Sequence, residues 1–429
     1  MCRPALFSDT TMKFVREQFA HLERDAHGRE RLFFENSGGS LRLRAAAERA
    51  LEVSLSPDSN SRPNQAARDL ACIQQQGGSD LLAFFNGDPD GALFPTATAS
   101  QAMFAVVRTI AENVPGTNIV TTALEHPSSY DACARQAERT GQELRVAPAD
   151  SATGGIDPAA VATLVDCDTS LVSVIATSNI TGAVTDIAAV VAAVRAKNPD
   201  VYVVTDGVQH APHGVIDARG WGVDAVNIAP YKMFGDRGNA FTYLSPRLAR
   251  LDHEKLAAAP ESTWAVGSSA PAVYAGFTAI ADYLAAVGAA TADATASPDR
   301  RSALVAGLDA IHAHEQALLH TLLDGTDRTP GLRATLGVHV HFADETAATA
   351  ARDLILPLTF DHLTCEEAAR AYDERGVVVY ERVASSPYSE RILRAVGLDG
   401  IVRVSPLHCH TAAEAERFLE VTREITALR

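Results

Sequence analysis

The 429-residue chain holds only four lysines against 33 arginines, so a lysine in an apolar setting stands out. Lys13, Lys197 and Lys255 lie in polar, helix-like contexts and read as solvated charges. Lys232 instead follows the apolar run from Val223 to Ala229 and enters the turn Pro230-Tyr-Lys-Met-Phe-Gly235. A lysine at the end of a buried strand is costly unless it has a partner or a bond to make. A Schiff base to an aldehyde is one such bond; a partly exposed strand-end lysine is the plainer alternative. Other polar groups also follow apolar runs. They are Glu125-His126-Pro-Ser128-Ser129, Ser178-Asn179-Ile-Thr-Gly182 and Asp206-Gly-Val-Gln209-His210. The stretch Phe94-Pro-Thr-Ala97-Thr98-Ala-Ser100 precedes a helical segment, where hydroxyls and free N–H groups suit a phosphate. Taken singly, Asp-Gly is a common turn and Ser128 an ordinary helix cap. Taken together, they offer phosphate donors, an aromatic ring, a carboxylate and an amine, provided that one edge of one sheet collects them.

The elements needed for that are legible. Short β-rich runs at 118–122, 143–147, 170–176, 201–205, 224–228 and 240–244 alternate with helical stretches at 100–112, 128–140, 158–165 and 187–197. Such alternation predicts an α/β fold with a mostly parallel sheet between helices, and such sheets bind ligands beyond the C-terminal ends of their strands. A helix is expected over 271–287, a small-residue linker over 288–298 and a further helix over 301–323. Strands at 338–342, 377–380 and 401–404 and helices at 364–374 and 412–426 predict a smaller α+β C-terminal domain. The expected division is a large domain over 36–290, with 1–35 and 300–429 forming the small one.

A net charge of −16 argues against nucleic acid or an anionic membrane as partner. No apolar leader and no apolar run of spanning length is read, so a cytoplasmic protein is expected. The six cysteines are scattered without metal-like spacing, so reduced thiols and no metal are expected.

A phosphate site, a ring-stacking histidine, a carboxylate for a pyridinium nitrogen and an amine for an aldehyde are what pyridoxal 5′-phosphate requires. Their order along the chain resembles the class V aminotransferase family of fold-type I pyridoxal-phosphate enzymes. Within it, the chain is most similar to the branch of cysteine desulfurases, cysteine-conjugate C–S lyases and isopenicillin N epimerase. The resemblance runs from about Phe34 to the C-terminus and implies a seven-stranded sheet. It implies that Ala97 and Thr98 hold the phosphate and that His126 stacks on the ring. By the same likeness, Asn179 and Gln209 approach the phenolic oxygen and Asp206 pairs with the pyridinium. Tyr231-Lys232-Met-Phe-Gly235 matches the element that carries the Schiff-base lysine. Gly400-Ile-Val-Arg403-Val-Ser matches the element whose arginine holds a substrate α-carboxylate, apt for a bidentate clamp. Arg382 and Asn36 are expected to contact substrate as well. Gly267-Ser268 resembles an element that reaches the neighbouring subunit's phosphate, so a homodimer is expected.

The chain also departs from the family pattern. Ala229 stands where the family has a phosphate-binding Ser or Thr, and Ala265 where it often has Glu. The loop from Arg375 to Tyr388 has no cysteine, whereas desulfurases carry a nucleophilic one there. The expectation drawn from this is a pyridoxal-phosphate lyase that is not a persulfide-forming desulfurase. Its reaction would be β-elimination on a cysteine S-conjugate, with Lys232 as Cα–H base. An aminotransferase, a decarboxylating oxidative deaminase and an epimerase are the alternatives. A non-catalytic binding protein of this fold is weighed down by the presence of both Lys232 and Asp206. A dinucleotide-dependent dehydrogenase would need a GxGxxG turn, which is not found.

Overall fold

The computed structural model describes residues 5–59, 62–291, 299–343 and 351–427. Its centre is a seven-stranded sheet: β1 (Ala92–Thr96), β2 (Asn118–Thr122), β3 (Glu143–Ala147), β4 (Thr169–Ile175), β5 (Tyr202–Asp206), β6 (Ala225–Ile228) and β7 (Ala240–Leu244). The spatial order is β1-β7-β6-β5-β4-β2-β3, and only β7 runs antiparallel to its neighbours. Strands β2, β4, β6 and β7 are buried along their whole length, as expected for a sheet covered on both faces. The predicted strands therefore form within a residue of their expected ends. Sequence reading missed β1, whose proline-containing Ala-Leu-Phe-Pro-Thr has no clean alternation. Its edge position, paired only with β7, tolerates that proline. It also missed the Gln65–Phe85 helix, whose glutamine- and glycine-rich middle weakens the helical pattern.

A second, four-stranded antiparallel sheet is built from β8 (Val338–Val340), β9 (Leu356–Phe360), β10 (Tyr380–Val383) and β11 (Gly400–Val404), in the order β8-β9-β11-β10. The single strand expected over 377–380 is in fact two pieces. Val377–Val378 pairs in parallel with Leu32–Phe33 of the N-terminal segment, and the chain then changes partner to enter β10.

The small-residue stretch read as a linker is corrected as well. Helix Pro271–Thr291 continues through Gly288 and ends four residues later than expected, while 292–298 lie outside the described residues. The small residues serve close helix contact: a Cβ on Gly307 would lie 2.0 Å from the Leu284 carbonyl oxygen, and one on Gly288 2.8 Å from the Gly307 nitrogen. The same helix is long and apolar enough to cross a membrane by length and composition, which sequence reading did not register. It is packed between the helices Arg44–Ser54, Gln65–Phe85 and Arg300–Asp324, where its apolar residues join the core.

Two apolar cores result. The larger lies around the seven-stranded sheet, and the smaller joins Leu32 and Phe34 to the four-stranded sheet and the C-terminal helix. Helix Arg300–Asp324 serves both. Leu304, Leu308 and Ile311 belong to the larger core, and Leu318, Leu319, Leu322 and Leu323 to the smaller. One rigid helix thus fixes the arginine-bearing β11 relative to the lysine-bearing sheet.

Candidate active site

Parallel strands present their C-terminal ends on one edge. Here β2, β4, β5 and β6 end at Thr122, Ile175, Asp206 and Ile228, and the turns beyond carry His126, Asn179, Gln209 and Lys232. A cavity of about 240 Å³ opens among these four, lined also by Asp206, Ala97 and Thr98.

Lys232 ends a short 3-10 turn, Pro230–Lys232, and is 7% exposed. Its Nζ donates to Gln209 Oε1 at 2.9 Å. Burial, aided by the Arg403 charge and opposed by Asp206 and Glu35, brings its pKa from 10.5 down to about 8. A useful fraction of the amine is then neutral near pH 7, and the neutral form bonds carbonyl carbon and accepts protons. Asp206 is buried at the end of β5. Its Oδ1 accepts from the Val208 N–H at 3.0 Å and its Oδ2 from Ser129 Oγ at 3.3 Å. Burial raises its pKa. A buried carboxylate of this kind is best satisfied by a protonated ring nitrogen.

His126 caps helix Pro127–Thr140. Its Nδ1 accepts from the Ser128 N–H at 3.2 Å. Burial, then the charges of Lys232, Arg382 and Arg391, lower its pKa to about 3. The imidazole is therefore neutral, and a neutral flat ring stacks on a pyridine without adding charge beside it. Glu125, next to it, is fully buried. Its Oε1 accepts from Thr122 Oγ1 and from the Ile175 N–H, and desolvation lifts its pKa to about 8. Asn179 Oδ1 is buried without a hydrogen-bond partner, while the Asn179 carbonyl accepts from Arg403 Nη1 at 2.8 Å. Thr98 caps helix Ala99–Asn113 through Oγ1 and the Gln101 N–H. The positive end of that helix meets the cavity at Ala99 and Ser100.

These groups fit pyridoxal phosphate. Ala97, Thr98 and the helix end suit the phosphate, His126 the ring face, Asp206 the pyridinium, Asn179 and Gln209 the phenolic oxygen, and Lys232 the aldehyde. Ala229 lines the cavity without a hydroxyl to offer, and Arg237, stacked 3.9 Å from the Tyr231 ring centre, lines it as an unforeseen cation.

The remaining expected residues fare differently. Arg403 is buried beside Asn179, but its guanidinium is already paired with Glu35 Oε1 at 2.5 Å. Arg382 donates to the Tyr388 carbonyl at 3.2 Å and lies within electrostatic reach of Lys232 and His126. Ser268 does not line the cavity. It is exposed, in an adjoining depression that shares Ala97, Gly238 and Asn239 with it. Asn36 is corrected outright. Its Nδ2 donates to the Phe33 and Ser405 carbonyls and its Oδ1 accepts from the Leu41 N–H, so both amide hydrogens are spent on backbone, and the residue does not line the cavity. Sequence reading missed Glu35. The signal was the adjacent Gly38-Gly39, a pair that allows close approach: a Cβ on Gly38 would lie 2.2 Å from Glu35 Oε1.

Comparison with known proteins agrees with this geometry. The aminotransferase class-V model matches residues 33–418. A probable cysteine desulfurase 2 of Mycobacterium leprae is 26% identical over 346 residues, covering 74% of this chain and 76% of its own. A probable cysteine desulfurase of Halobacterium salinarum is 26% identical over 332 residues, covering 72% and 74%. Among solved structures, a cysteine desulfurase from Thermococcus onnurineus superposes with a TM-score of 0.78 at 18% identity, covering 96% of this chain and 98% of the other. A cysteine desulfurase from Escherichia coli gives 0.76 at 18% identity, covering 98% of both. The fold is thus the mostly parallel α/β sandwich of fold-type I pyridoxal-phosphate enzymes.

One expectation falls. The lyase assignment that excluded a cysteine desulfurase rested on a cysteine-free loop, and it is overturned by relatives that are themselves named cysteine desulfurases. The absence of sulfur from one loop speaks only of where a sulfur atom would be received. With a family model spanning most of the sequence and the cavity matching its cofactor, the chain belongs to the aminotransferase class-V family of pyridoxal 5′-phosphate enzymes.

Proposed function

We propose that this protein cleaves the C–S bond of cysteine or of a cysteine S-conjugate, releasing sulfide or a thiol. The observation that carries the reading is the buried Lys232 amine at 2.9 Å from Gln209, with Asp206 and His126 lining the same cavity and Arg403 beside Asn179. The sulfur-bearing substrate class is supported by the names of the relatives.

Pyridoxal phosphate, when bound, draws electrons from the substrate's Cα. The chain's own residues do the rest. Lys232 Nζ would hold the cofactor's aldehyde carbon, and its amine is the base placed to take the Cα proton. Asp206 would keep the ring nitrogen protonated. Asn179 and Gln209 would steady the phenolic oxygen, and neutral His126 would cover a ring face and exclude water there. Arg403 would receive the substrate α-carboxylate and so orient its Cα. Arg382 and the loop after it meet the side chain. In the homodimer we propose, Ser268 of each copy lies against the other's phosphate site.

The test is product analysis after incubating the reconstituted protein with L-cysteine and with a simple S-alkylcysteine. Sulfide or free thiol together with pyruvate and ammonia supports the reading, and so does alanine with sulfide when an added thiol reductant reduces the released sulfur. A keto acid or aldehyde that retains sulfur sinks it and moves the chemistry to transamination or oxidative deamination.

A further inference from the structure

Glu35 is partly buried near two arginines, and only one of them is its partner. Its Oε1 pairs with Arg403 Nη2 at 2.5 Å, while its Oε2 is buried with no hydrogen-bond partner. Arg382 lies within electrostatic reach of both Glu35 and Arg403, yet no carboxylate among the described residues pairs with it, and its Nε is buried without a partner. The Nε of Arg403 is likewise unspent. The site therefore holds two guanidinium groups and one carboxylate, with hydrogen-bonding capacity left over on all three. The backbone is shaped around this arrangement. Glu35 bridges to Ser405 two residues beyond Arg403, and Gly38 presses on the pair so closely that a Cβ there would meet both Glu35 Oε1 at 2.2 Å and Arg403 Nη2 at 3.3 Å.

We infer that Glu35 is an exchange carboxylate: it occupies Arg403 until a substrate carboxylate arrives, then passes to Arg382. The inference rests on the reading above in one respect, that Arg403 takes the α-carboxylate. In the resting site one ion pair is made and one guanidinium is left over. With one incoming carboxylate both guanidiniums are paired, and Arg403, the buried one of the two, is at no point left without a carboxylate. Glu35 is thus a specificity-determining residue. It makes the site selective for ligands whose carboxylate can compete with a resident one.

The test uses the holoenzyme and propanoate, which carries a carboxylate but no amine and so cannot react. Calorimetry gives its Kd for the wild type, Glu35→Gln, Arg382→Gln, the double variant and Arg403→Gln. Removing the competitor should tighten propanoate roughly tenfold in Glu35→Gln. Arg382→Gln should weaken it several-fold by leaving Glu35 nowhere to go, and that weakening should vanish in the double variant. If Glu35→Gln binds propanoate no better, or if Arg382→Gln weakens binding equally with and without Glu35, the exchange is refuted while Arg403 keeps its role. If Arg403→Gln binds as the wild type does, the carboxylate assignment fails and the exchange fails with it. Should Glu35→Gln not fold, Glu35→Asp serves. The shorter acid reaches Arg403 less well, so propanoate should bind more tightly, and unchanged or weaker binding overturns the inference.

Discussion

Replacing Lys232 by methionine should make the apoprotein more stable below about pH 8 and less stable above about pH 10. The wild-type lysine is driven from 10.5 to about 8 in the fold, which corresponds to a burial penalty on the charged form of roughly 3 kcal/mol at most. Below the folded value the amine is protonated in both states and the full penalty applies. Between about 8 and 10.5 the unfolded chain holds more protons than the folded one, so wild-type stability rises with pH across that window. Methionine fills a similar volume and has no charge to desolvate. It does leave Gln209 Oε1, which now accepts from Lys232, short of a donor, at about 1–3 kcal/mol. The net expectation is a gain of about 1 kcal/mol near pH 6, turning into a loss of about 2 kcal/mol once the wild-type amine is neutral. Chaotrope unfolding of both apoproteins at several pH values measures this directly. A difference that stays constant with pH, or a variant already less stable near pH 6, would refute the reasoning. The variant should also fail to develop the visible absorption of the loaded enzyme. A residue that costs stability in the empty fold is what a lysine kept for bonding should look like.

Three further outcomes follow from the same geometry. Asp206→Asn retains the Val208 and Ser129 contacts, so the protein should fold and take up cofactor, while kcat falls by about a hundredfold or more; steady-state kinetics beside the absorption spectrum checks both. In Glu125→Gln the pH dependence of stability should flatten: the wild-type carboxyl titrates near 8 in the fold against 4.5 in the unfolded chain, so the wild type loses stability as pH rises from 4.5 to 8, and melting curves across that range should diverge in the variant's favour. Gly38→Ala should cost about 1–3 kcal/mol by overpacking, because its Cβ would fall on Glu35 Oε1 in the Glu35–Arg403 pair; an unchanged unfolding midpoint would show that the loop yields freely.

Much of this protein is written in local sequence. Six of the seven central strands are short β-rich runs of four to seven residues, and Lys232, Asp206, Asn179 and His126 each lie at or just beyond the end of one. Strand periodicity and turn chemistry act over a few residues, so a single sequence carries them, and parallel pairing then places the ends of the motif-bearing strands on the same edge. The ordered motifs supplied the cofactor for the same reason. Sequence did not show which side chains have capacity to spare. Asn36 reads as a polar residue near the site, yet its amide is consumed by the Phe33, Ser405 and Leu41 backbone. Arg403 reads as a free clamp, yet a carboxylate 368 residues away in the chain already holds it. Gly288 reads as the start of a linker, yet together with Gly307 it lets two helices touch. Pairing, burial and the resulting pKa values depend on atoms brought together from distant parts of the chain. The amino-acid order determined the strands, the turns and the chemistry they carry, and only tertiary packing decided which charges meet and which remain available to a substrate.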